Sequence, residues 1–176
     1  GLRLVILDTL EPQRHGGAFC AVRSAWLSAR LNEDRETPTV IVMHHPPFEA
    51  GIAWMDTHPT EPWVQRFSDA IAGHTNIVAI WCGHLHRPIA AVWQGICVTV
   101  CGSTSAELTL DINMIDADLP DNRSMVINGP PALALHRWTD KGLVTFFDIV
   151  EDYEVLARFD GKMQGLVRHL IDERPE

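Results

Sequence analysis

Positive charge is scarce in this chain. Lys and Arg total 14 against 23 Asp and Glu, for a formal net charge of -9. That balance excludes a nucleic-acid polymer as partner, because its phosphates require clustered Lys and Arg. It leaves room for a small anionic substrate, since bound metal ions reverse the local sign. No CxxC pair occurs among Cys20, Cys82, Cys97 and Cys101. These are expected to be mostly buried, reduced thiols, which predicts a reducing compartment, the cytoplasm. A Cys97–Cys101 disulfide is the alternative. No apolar run approaches the roughly 20 residues of a membrane span, so no membrane partner is expected. There is no G-x-S-x-G and no glycine-rich phosphate loop, which removes two common routes to ester and phosphate chemistry. No signal-like segment precedes the first apolar run. The chain opens on Gly1 and then Leu2–Leu7, as a piece beginning inside a fold would.

What is present fits one domain of ordinary size: 176 residues, 46% hydrophobic and 21% charged. Residues 3–8 read as a buried strand, 18–31 as a helix, and 39–43 as a second apolar strand. A loop rich in Gly, Pro and aromatic residues covers 46–60. Thr60 is the expected N-cap of a helix that Gly73 ends. Asn76 to Cys82 is a third strand. Strand, helix, strand, helix, strand predicts a parallel sheet with covering helices. After residue 88 the pattern turns to hairpins: 89–93 with 96–101 about Gln94-Gly95, and 132–138 with 143–149 about Thr139–Gly142. A short strand is expected at 107–112 and a polar loop at 116–129. The tail is expected to be partly helical, near 164–171.

Histidines stand at the ends of two central strands. His44 follows the second strand in Val42-Met-His-His-Pro-Pro47, and His84 and His86 follow the third in Gly83-His-Leu-His86. Ligands of open α/β sheets bind at the carboxyl ends of strands. In extended backbone, positions i and i+2 face one side, so His84 and His86 are expected to point into one cavity. Gly83 spares a side chain where the backbone passes a bound group closely. Imidazoles suit Zn, Fe and similar ions. A lone histidine at a strand end is ordinarily a hydrogen-bonded structural residue; three at adjacent ends suggest a metal site. Asp8 is read either as a site carboxylate or as a turn cap. His136 is read as exposed or satisfied within the core, and His15, His74 and His169 as solvated. Asp116, Asp118 and Asp121 lack calcium-loop spacing and read as a solvated loop.

At these residues the sequence resembles the calcineurin-like metallophosphoesterases. His44-His-Pro-Pro47 and Gly83-His-Leu-His86 look like the last two metal-binding motifs of that family. Leu7-Asp8-Thr9, Trp26-Leu27, Gly51-Ile-Ala-Trp-Met-Asp56, Arg87 and Gly129–Trp138 look closer to its class III cyclic nucleotide phosphodiesterase and glycerophosphodiesterase branch. The resemblance implies an α/β fold, the C-terminal half of a four-layer αββα sandwich, with residues 1–150 in that domain and 151–176 as a tail. It implies that His44 and His84 bind one metal and His86 the other. His45 and Asp56 would lie on the substrate side, with His45 also open to a structural role. Phe48, Trp54 and His58 are further candidates.

The family's first half supplies Asp-x-His, Gly-Asp-x-x-Asp and Gly-Asn-His-Asp/Glu motifs, and all three are taken as missing here. The parent protein is thus expected to be a phosphodiesterase using two divalent ions (Mn, Fe or Zn) on a cyclic nucleotide or glycerophosphodiester. The chain alone is expected to be inactive, with at most weak binding of a single metal. An exposed apolar surface and homo-oligomer formation are expected where Leu2–Leu7 and Ile41–Met43 lack cover. The alternative is a non-catalytic or single-metal-binding domain with structural histidines.

Overall fold

Short runs of β-branched and aliphatic residues pair side by side because their side chains pack well on a pleated surface. In the computed structural model, which describes residues 1–174, five of them form one sheet. These are β1 (Arg3–Ile6), β2 (Thr39–Val42), β3 (Ile77–Cys82), β4 (Ile89–Trp93) and β5 (Ile96–Val100), in the order β1-β2-β3-β5-β4. β1, β2, β3 and β5 run parallel, and β4 is the antiparallel edge. The β4–β5 hairpin turns at Gln94 and Gly95, both with positive φ (51° and 79°). Two consecutive left-handed residues give a turn whose twist matches that of the strands it joins.

Helices α1 (Ala21–Glu33) and α2 (Pro62–Ile71) pack together and cover one face of the sheet. Their apolar stripes, Leu27 and Leu31 on α1 and Trp63, Val64, Phe67 and Ile71 on α2, meet Val5, Ile41, Ile80, Val98 and Val100 in one core. Pro62 suits the first turn of α2, where its missing N–H is no loss. The N-cap is Glu61 rather than Thr60. The Thr60 hydroxyl is engaged by His58 Nδ1 at 2.7 Å and so is not available to the helix.

The opposite face is partly bare. On β1, Val5 is 4% exposed, whereas Leu4 and Ile6 are 52% and 70% exposed. Over the middle of that face lies the hairpin β8 (Ala132–Thr139) with β9 (Gly142–Ile149), whose His136 stacks on Trp81 at 3.7 Å. Leu135 and Phe146 of the hairpin are themselves exposed. A two-residue ladder joins β6 (Glu107–Leu108) to β7 (Val126–Ile127). The expected strand at 107–112 stops early because Asp111 turns the chain, its Oδ1 accepting from Asn113 N at 2.9 Å. β7 falls inside the segment expected to be loop. The last element is α3 (Gln164–Asp172).

The cysteines correct the expectation of buried thiols. All four are free; Cys82 is buried, Cys101 is half-buried, and Cys20 and Cys97 are exposed. Cys97 lies on the bare side of β5, and Cys20 is the N-cap of α1. His74 corrects another. It is 8% exposed rather than solvated, and its Nδ1 has no partner among the described residues.

Candidate metal centre

The parallel strands deliver their carboxyl ends to one edge, and the histidines gather there. His44 and His45 follow β2, and His84 and His86 follow β3. The ring-nitrogen ligand atoms of His44, His45 and His84 lie within 4.8 Å of one another. Ring centroids are 4.7 Å apart for His44–His45, 5.3 Å for His44–His84 and 4.6 Å for His45–His84.

The turn after β3 is not extended, which corrects the strand-based argument for His84 and His86. His84 and His86 have φ of 70° and 50°, in the left-handed region that residues with a Cβ rarely enter. Leu85 N donates to Gly83 O at 2.8 Å, closing a three-residue turn centred on His84. Leu85, 1% exposed, pins that turn into the core. His84 therefore joins the His44–His45 pair. The His86 ring turns to Ala106, and Nδ1–H donates to its carbonyl at 2.9 Å. A Cβ on Gly83 would sit 3.4 Å from His44 Nδ1, so the missing side chain leaves the His44 ring its space.

Hydrogen bonds sort the rings by what each has free. A carbonyl only accepts, so the His45 Nε2 facing His15 O at 3.2 Å carries the proton. His45 Nδ1 then accepts from Thr9 Oγ1–H at 2.8 Å, and Thr9 Oγ1 in turn accepts from His45 N at 3.3 Å. Both His45 nitrogens are spent, which makes it a bracket between the 9–17 loop and the β2 end. The same reasoning leaves His86 with a lone pair on Nε2. Neither ring nitrogen of His44 or His84 has a hydrogen-bond partner among the described residues. Burial, then the neighbouring His45, His44 and His15 rings, pushes the His84 pKa down to about 3. Burial and then His44 lower that of His45 to about 4. Neutral imidazoles with free lone pairs are what a transition metal ion binds. The outward nitrogen of His86, with its other nitrogen bonded to a carbonyl, has the usual support of a metal-ligating histidine. Arg87 steadies that support, reaching Glu107 Oε1 at 2.8 Å and Leu108 O at 2.6 Å in the two residues that follow Ala106.

The remaining candidates are placed as follows. Asp8 is a turn cap: Oδ1 accepts from Leu10 N at 2.8 Å and Oδ2 from Arg23 at 2.7 Å. Asp56-Thr57-His58 has the Asp-x-His spacing taken as missing. Both Asp56 oxygens are bonded to loop amides, Ala50 N at 2.7 Å and Gly51 N at 2.8 Å, and His58 is exposed. Asp56 thus shapes the 50–56 loop. His136 is half-buried, with Nδ1 2.8 Å from Thr145 Oγ1. His169 is exposed, 3.1 Å from Glu173. Asp116 and Asp121 cap local turns.

Sequence reasoning missed Thr9 and His15. The His15 ring lies 4.9 Å from that of His84. Its one sequence signal is the glycine pair that follows. Gly17 lets the loop close in, since a Cβ there would lie 2.9 Å from His45 Cβ and 2.8 Å from Trp63.

The chain is 28% identical, over 87% of its length, to a probable glycerophosphodiester phosphodiesterase of Arcobacter nitrofigilis, 54% of which is covered. It is 38% identical to a probable cyclic nucleotide phosphodiesterase of Rhodopseudomonas palustris, over 53% of this chain and 35% of that protein. It is 24% identical to the 3',5'-cyclic adenosine monophosphate phosphodiesterase CpdA of Escherichia coli, over 78% and 51%. The chain is a homologue of GpdQ- and CpdA-type phosphodiesterases. It spans about half the length, or less, of these curated relatives. No protein-family model matches it. No helix among the described residues is long and apolar enough to cross a membrane. The histidine cluster is thus the candidate metal centre of a phosphodiesterase homologue.

Proposed function

We propose that the chain supplies the histidine part of a dinuclear metal site in a hydrolase of small phosphodiesters. In this reading, residues 1–150 are the C-terminal portion of a four-layer metallophosphoesterase domain, and 151–176 are its tail. His44 and His84 hold one ion and His86 the other. The carrying observation is that these three rings offer free lone pairs at neighbouring strand ends, while His45 is fully hydrogen-bonded. His45 positions the loops, and Asp56 shapes the loop on the substrate side. Two divalent ions, of Mn, Fe or Zn, supply a polarised phosphate and a water of lowered pKa. The substrate is a cyclic nucleotide or a glycerophosphodiester, by analogy with the names of the relatives.

Three neutral imidazoles do not offset two divalent cations only about 3.5–4 Å apart, which need an anionic bridge. The carboxylates come from outside the 176 residues, and the chain alone turns over little or nothing. Hydrolysis of bis-p-nitrophenyl phosphate with added Mn or Zn, once those carboxylates are restored, tests this. His84→Ala is expected to lose most of the rate, and a fully active variant would sink the assignment. A single-metal domain without turnover is the second reading, favoured by the closeness of His44, His45 and His84. It predicts one tight ion and no hydrolysis even with the carboxylates supplied.

A further inference from the structure

We infer that His15 is a ligand-contacting residue of this site, giving its ring N–H to an anionic oxygen of a phosphodiester held there. The inference rests on the metal-site reading above and extends it to a residue that no motif marks. His15 reaches the cluster from the β1–α1 loop, its ring 4.9 Å from His84. It is held there by its main chain: its carbonyl accepts from His45 Nε2, and His45 is fixed to Thr9. The ring itself carries none of that load. Its hydrogen-bond contact among the described residues is Nε2 to the Met55 thioether at 3.0 Å. A thioether is a weak acceptor, so the proton is readily given up to an anionic oxygen.

His15 is assigned as a contact rather than a ligand. The ring-nitrogen ligand atoms of His44, His45 and His84 lie within 4.8 Å of one another, and His15 is outside that group. With Nε2 already turned to the Met55 thioether, His15 in this reading meets a group bound at the metal rather than the metal. The other rings of the cluster cannot make this contact. His45 and His86 have their protons committed to carbonyls, and His44 and His84 have lone pairs turned to a metal in this reading. His15 is also exposed, and so open to a ligand from solvent.

The full 176-residue chain with cobalt(II) as probe tests this. Imidazole-bound cobalt gives visible absorption bands, and dimethyl phosphate added to the loaded protein shifts them. His15→Ala is expected to keep the cobalt bands and weaken dimethyl phosphate at least tenfold, the size of a hydrogen bond to a charged group. His15→Gln, which keeps a donor, is expected to recover most of the affinity. Cobalt bands with unchanged dimethyl phosphate affinity in His15→Ala would overturn the inference alone. No imidazole–cobalt bands in the wild-type chain, or bands unaltered in His84→Ala, would overturn the metal reading and this inference with it. Loss of cobalt binding in His15→Ala would make His15 a metal ligand and overturn the contact role.

Discussion

His84 and His45 make the metal-free site sensitive to acid. Both have folded pKa values below the ordinary 6.5, at about 3 and about 4. The folded state therefore favours the neutral rings, while the unfolded chain takes up protons once the pH drops below about 6.5. Stability is full above that pH and falls as pH decreases toward 4. At pH 5 each ring has lost about 2 kcal/mol, at roughly 1.4 kcal/mol per pH unit. Urea midpoints of the metal-free chain at pH 7.5 and 5.0 measure this, and identical midpoints would contradict it. Thr9→Val leaves His45 Nδ1 buried without its donor. That costs about 1–3 kcal/mol, and it is expected to loosen the 9–17 loop, read as faster amide exchange there than in the wild type.

The Gly83–Arg87 turn stores strain that its core anchor holds in place. A residue with a Cβ in the left-handed region costs roughly 1–2 kcal/mol. His84→Gly is accordingly expected to be about 1 kcal/mol more stable than His84→Ala, the reverse of the usual order, and urea unfolding of the two variants decides it. Leu85→Ala removes the anchor at a cost of about 2–5 kcal/mol. The sequence displayed the strands well, because each is an apolar run stopped by Gly, Pro or His. It displayed His44 and His84 for the same reason. It concealed the path of the turn, since nothing in Gly-His-Leu-His announces two left-handed residues. It also concealed His15 and Thr9, which come near β2 only through hydrogen bonds spanning 30 and 36 residues. Asp111 likewise ended a strand by a side-chain bond that apolar periodicity does not register.

At the scale of the whole molecule, the two faces of the sheet are treated unequally. The helical side closes a continuous core, while Leu4, Ile6, Leu135 and Phe146 lie open on the other side. Apolar surface of this kind binds hydrophobic dye or self-associates. The chain is expected to do one or the other; a dye-silent monomer in light scattering would show that the face is covered. The histidine site has a mechanical side as well. In the proposed reading, an ion gripped by His44 and His84 ties together points 40 residues apart in sequence (84 − 44), around α2 and β3. It thereby acts as a reversible staple on the unfolded chain. A covalent cross-link closing a loop of that length contributes about 4 kcal/mol in the chain-entropy model. A chelator should therefore lower the unfolding midpoint by part of that amount, an effect that needs no turnover of substrate.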